Sequence, residues 1–138
     1  MLNPFDQIQI PFTMPELFKG FGEGSGLLRV EETSLLLEYQ VRDGVFGVIK
    51  TGIRQLRIPY SEMDGVTLHK RLTGRRLEIR TTTLTIPAAI PGNNRGSIFL
   101  SFRRRDKDRV DLAVSRMQLR IAEDKLAQIV EDESGAAS

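Results

Sequence analysis

The chain has 138 residues, 40% of them hydrophobic and 28% charged, a size and balance that fit one globular domain rather than two. With no Cys, thiolate catalysis, Fe–S clusters and Cys-based zinc sites are excluded, and the single His69 rules out His-rich metal sites. The net charge of +2 hides a strong asymmetry: residues 1–49 carry 3 basic and 7 acidic side chains, residues 50–105 carry 12 and 3, and residues 106–138 carry 5 and 8. A basic middle between acidic ends points to an anionic partner or to compensation within the chain. Low aromatic content, with no alternation of basic and aromatic residues, argues against nucleic acid.

The first residues, Met1-Leu2-Asn3-Pro4-Phe5-Asp6, lack the basic-then-apolar pattern of a secretory signal, and no run approaches the ~18 apolar residues of a membrane span. A cytoplasmic location is the expectation. Phe5, Ile8, Ile10, Phe12, Leu17, Phe18 and Phe21 make residues 1–22 an apolar N-terminal arm that needs a cover. The glycines at 20, 22, 24 and 26 have a Gly-x-Gly rhythm, but with no strand before it and no helix after it this is not a dinucleotide fingerprint.

From Gly26 to Arg104 apolar and polar residues alternate in short runs, the period of half-buried strands. Leu28 and Val30 define one inward face, and Leu35, Leu37, Tyr39 and Val41 another. Asp43-Gly44 signals a turn. Val45 to Lys50 is an ambiguous apolar piece that either extends the hairpin or crosses the fold. Leu56 and Ile58 then point inward until Pro59 ends the strand. Ser61 to Gly65 turns the chain, Val66 and Leu68 face in, and Thr67, His69 and Arg71 face out. Thr73-Gly74 forms a hairpin tip, Leu77 and Ile79 follow, and Leu84 with Ile86 forms one more short strand. Pro87 to Gly96 is a loop, and Ile98, Leu100 and Phe102 close the β-region. At that point the period changes to helical. Asp106 and Asp108 suit a helix amino-terminus, and Val110, Val114, Met117 and Ile121 recur on one face, which predicts a helix over about residues 106–130. Glu131 to Ser138 reads as a disordered tail.

This order resembles bacterial pleckstrin-homology-like (PH-like) domains. The resemblance rests on Gly26-Leu27-Leu28-Arg29-Val30, on Leu56-Arg57-Ile58-Pro59-Tyr60-Ser61-Glu62-Met63 leading into Gly65-Val66-Thr67-Leu68, and on Ile98-Phe99-Leu100-Ser101-Phe102 followed by Asp106 to Arg109. It covers residues 23–130. It implies a mainly β fold, a barrel or sandwich of two near-orthogonal antiparallel sheets with about seven strands, capped by one C-terminal helix. It also implies a tendency to self-associate. The loop that would hold an inositol phosphate in such domains corresponds to Glu31-Glu32-Thr33-Ser34, whose two carboxylates repel a phosphate.

Two surfaces stand out. Lys70, Arg71, Arg75 and Arg76 surround one hairpin turn, either as a solvated tip that discourages edge aggregation or as a contact for an anion or anionic membrane lipid. Arg103-Arg104-Arg105 reads as a solvated or acid-paired junction rather than a phosphate site. On the helix, Leu112, Leu119, Leu126 and Val130 form a second apolar cluster away from the stripe that covers the sheet. A helix that caps a small β-domain buries one side only, so this cluster needs either the N-terminal arm or a second subunit. His69 has no carboxylate at recognisable spacing, and Glu62 and Asp64 fit turn chemistry. The expectation is therefore a non-enzymatic module without cofactor that binds itself or another protein, with peripheral lipid binding as the alternative.

Overall fold

A computed structural model describes residues 8–43 and 51–136. It contains seven strands, β1 (Ile8–Leu17), β2 (Gly22–Val30), β3 (Ser34–Asp43), β4 (Arg54–Pro59), β5 (Met63–Arg71), β6 (Gly74–Thr81) and β7 (Ile98–Arg103), and two helices, α1 (Thr85–Ala88) and α2 (Lys107–Ala136). All seven strands belong to one antiparallel sheet in the order β4-β3-β2-β1-β7-β6-β5. The fold is thus a mixed α/β domain, a single sheet with a long C-terminal helix.

The expected closed barrel is not formed. β4 and β5 are consecutive in the chain but lie at opposite edges of the sheet, with no ladder between them. Pro59 ends β4 without an N–H to donate, and the 3₁₀ turn Tyr60–Glu62 separates the two strands. Two smaller expectations also change. Leu84 and Ile86 do not form a strand; the chain there enters the short helix Thr85–Ala88. Residues 131–136 are not a disordered tail, because α2 continues to Ala136. Val45 to Lys50 and Gly44 lie outside the described residues.

The described part of the N-terminal arm is a central strand. β1 pairs with β2 in continuous register from Ile8↔Val30 to Met14↔Gly24, yet meets β7 only at Thr13↔Ser101. Proline explains the imbalance. Pro11 and Pro15 flank Thr13, and by the period of two the missing donors at 11 and 15 fall on the same edge as Thr13's N–H. One edge of β1 keeps its ladder and the other loses it.

Inward-facing residues of all strands form one core that includes Ile10, Phe12, Leu28, Leu37, Ile58, Leu77 and Leu100. Val110, Val114, Met117 and Ile121 of α2, with Ala113, close over it as their spacing predicts. Each such buried aliphatic side chain contributes roughly 1.5–3 kcal/mol of transfer free energy, which is what holds the helix on the sheet. At the start of α2 the buried Asp106 carboxylate accepts a 2.8 Å bond from Arg109, whose other amino group donates to the Gln9 carbonyl at 2.9 Å. The helix entry is thereby tied to β1.

Candidate functional site

The candidate residues lie on both faces of the sheet and on the outer face of α2: Arg71, Arg76 and Arg103 share the face away from the core, while Lys70 and Arg75 are in register with the core residue Phe102, on the side that α2 covers. Glu31 to Ser34 is structural: the Arg57 guanidinium pairs with Glu31 and donates to Ser34 Oγ at 3.2 Å, and the Tyr60 hydroxyl donates to the Glu31 carbonyl at 2.8 Å. Burial pushes the Tyr60 phenol up to about 12, so it stays protonated and keeps donating that bond.

The basic hairpin does not act as one cluster. Its two-residue turn is Leu72-Thr73, and Arg71 pairs with Gly74. Arg75 turns towards α2 and grips Asp111 through both carboxylate oxygens, at 2.9 and 3.2 Å. That hydrogen-bonded guanidinium holds the Asp111 carboxyl below its ordinary value of 3.8. A folded-state pKa below the unfolded one means the pair's contribution is complete above about pH 4 and disappears as pH falls through the depressed value. Asp111→Asn should therefore be less stable than the parent to urea at pH 6, and the gap should narrow as pH is taken progressively below the ordinary carboxylate value.

Arg76 lies on the outward face. Its guanidinium sits 4.5 Å above the Phe99 ring and 3.1 Å from Glu16, and Arg95 approaches the same ring at 5.0 Å and the same carboxylate at 2.7 Å. Two cations sharing one ring and one acid keep Arg76 fixed, its side chain only 18% exposed. Lys70 and Arg71 are exposed. Arg71 has no acidic partner among the described residues, and Arg103 to Arg105, also exposed, have none either.

Arg71, Arg76 and Arg103 converge on a cavity of about 620 Å³ that also reaches Arg75, and no carboxylate lines it. Its position follows from the β1–β7 break. Register places Ser25, Thr13, Ser101, Arg76 and His69 in one row across five strands. One step towards the hairpin tip, Arg103, Gly74 and Arg71 form the next row. Gly74 adopts φ +152°, and a Cβ there would come within 2.1 Å of the Phe102 carbonyl oxygen, so the position between the two arginines has no side chain. Sequence reasoning grouped the hairpin cations, set Arg103 aside as a junction residue and missed Thr13, Ser25 and Ser101, because the row exists only across the sheet.

The second candidate surface lies on α2. Leu112, Leu119 and Leu126 are 51%, 58% and 63% exposed, and Val130 is also exposed. The N-terminal segment does not cover them over its described length: Ile10, Phe12, Met14 and Leu17 belong to the core. Three further exposed residues share the stripe, Ser115, Ala122 and Ile129. Leu112, Ser115, Leu119, Ala122, Leu126 and Ile129 follow one another at alternating steps of three and four, the spacing of a coiled-coil seam.

Among the described residues no group of His, Asp and Glu is placed to hold a metal ion, and no helix is long and apolar enough to cross a membrane. Compared with known proteins, the chain matches no protein family, no curated protein and no solved structure.

Proposed function

We propose that the chain is a non-enzymatic scaffolding module that self-associates through the outer face of α2. The observation that carries this reading is the exposed seam from Leu112 to Ile129, an apolar row that the protein's own core leaves uncovered. Two features favour a second copy, running antiparallel, as the occupant. The seam is centred on Leu119, so a two-fold axis there sets Leu112 of one copy against Leu126 of the other. Charge agrees: residues 107–121 carry four basic and two acidic side chains, while residues 122–136 carry one and five. Antiparallel pairing places the acidic half of each helix against the basic half of its partner, whereas parallel pairing sets like against like. From Leu126 to Ala136 the helix continues for about 16 Å at 1.5 Å per residue with no buried position among those described, a length that suits helix–helix contact.

A PH-like relationship is part of the same reading. The strands fall into a four-strand half, β4-β3-β2-β1, and a three-strand half, β7-β6-β5, joined by a single register pair, and α2 packs over them after the last strand. Both features support a two-layer PH-like arrangement, and self-association and a cytoplasmic setting accord with it. Light scattering behind a sizing column tests the function. The expected result is a mass of twice 15.6 kDa at moderate salt, with tighter association at low salt; a monomer at 15.6 kDa under both conditions overturns it.

A further inference from the structure

We infer that the cavity between β1 and the β5–β6 hairpin binds a phosphate group, presented either by a small soluble phosphate compound or by a phospholipid headgroup. This site lies apart from the exposed seam of α2 and does not rest on the association argued above.

Three properties of the cavity select that chemistry. Four arginines and no acid line it, so its potential is positive throughout. Arg75 and Arg76 are neutralised by Asp111 and Glu16, but Arg71 and Arg103 have no ion-pair partner among the described residues. Two uncompensated guanidinium groups on either side of Gly74 leave an unpaired double positive charge next to an empty volume. Below them the side-chain hydroxyls of Thr13, Ser25 and Ser101 stand in register across three strands, and none is hydrogen-bonded within the described residues. Guanidinium forks above and hydroxyl donors below match the tetrahedral oxygens of a phosphate.

Preorganisation adds to this. Phe99 and Glu16 fix Arg76 at the end of the hydroxyl row, so that part of the site loses little side-chain freedom on binding. Gly74 supplies the room. A single carboxylate could be held by one arginine alone, whereas two unpaired guanidinium groups, the neutralised Arg76 fork and three hydroxyls fit a group with several oxygens and more than one negative charge.

The test uses two probes, inorganic pyrophosphate in isothermal calorimetry and vesicles of phosphatidic acid in phosphatidylcholine in a sedimentation assay. It compares the parent chain with Arg71→Ala/Arg103→Ala and with Arg42→Ala/Arg54→Ala, which removes two exposed arginines elsewhere. All three are checked by thermal melting. Removal of the two groove arginines should weaken binding by about tenfold or more for each guanidinium lost, with the control pair unchanged. Pyrophosphate binding with that pattern assigns a soluble phosphate compound, and vesicle binding alone with that pattern assigns a lipid headgroup. Failure of both probes to bind, or equal losses in the two double variants, overturns the proposal.

Discussion

Leu119→Asp should convert the self-associated protein to a monomer while leaving its fold intact. In the single chain Leu119 is more than half exposed, so a carboxylate there meets water, and the cost is limited to the weaker helix propensity of Asp, roughly 0.5 kcal/mol. At a two-fold axis the same substitution sets two carboxylates against each other in a drying contact. Desolvation and repulsion then act together and amount to several kcal/mol, so the dissociation constant rises by about 100-fold or more. Light scattering should give 15.6 kDa, and thermal unfolding should stay within a few degrees of a parent measured below its dissociation constant. A variant that retains the parent mass places the contact elsewhere and removes the basis for the α2 seam. The contrast with Met117 on the inner stripe is informative. Met117 is fully buried, and a carboxylate there should unfold the domain, so loss of association without loss of fold is specific to the outer face.

The two faces of α2 were legible in the sequence because helical periodicity is a local property. Val110, Val114, Met117 and Ile121 sort onto one side at 100° per residue whatever they pack against, and the strand alternation at Leu35, Leu37, Tyr39 and Val41 is equally local. What periodicity cannot carry is which strand lies beside which. Residues 8–17 read as an arm because two prolines interrupt their pattern, yet they form the central strand, with both prolines directed to the one edge where the ladder fails. The phosphate-binding row was hidden for the same reason, since Ser25, Thr13, Ser101 and Arg76 become neighbours only after β1 inserts between β2 and β7. The closed barrel was inferred from the resemblance, and no residue pattern in the chain specifies whether β4 pairs with β5. Helix length was underestimated because Glu131 to Glu133 are polar and unpaired with the core, a composition shared by tails and by solvated helix ends.

Gly26→Ala should be among the most damaging single-methyl changes in the chain. The alternating glycines at 22, 24 and 26 mark the period of a strand, and they make room for neighbours: a Cβ at Gly24 would meet the Met14 Cε at 2.5 Å, the end of a side chain that can turn aside. At Gly26 nothing can turn aside. The added Cβ would lie 1.8 Å from the Glu38 carbonyl oxygen and 2.8 Å from both the Glu38 carbonyl carbon and the Tyr39 Cα, all of them backbone of β3. Relief requires β2 and β3 to separate in mid-ladder, where Gly26 pairs with Tyr39 on one side and Phe12 on the other. Separation there exposes the core around Leu28, Leu37 and Tyr39, so a loss of about 3–5 kcal/mol is expected, a large part of the total stability of a domain this size. Gly52→Ala is the matched control, because a Cβ at Gly52 meets nothing within 4 Å. Urea unfolding followed by circular dichroism should show a strongly lowered midpoint for Gly26→Ala and a midpoint within error of the parent for Gly52→Ala. Equal midpoints for the two variants would mean that β2 and β3 do not approach at Gly26.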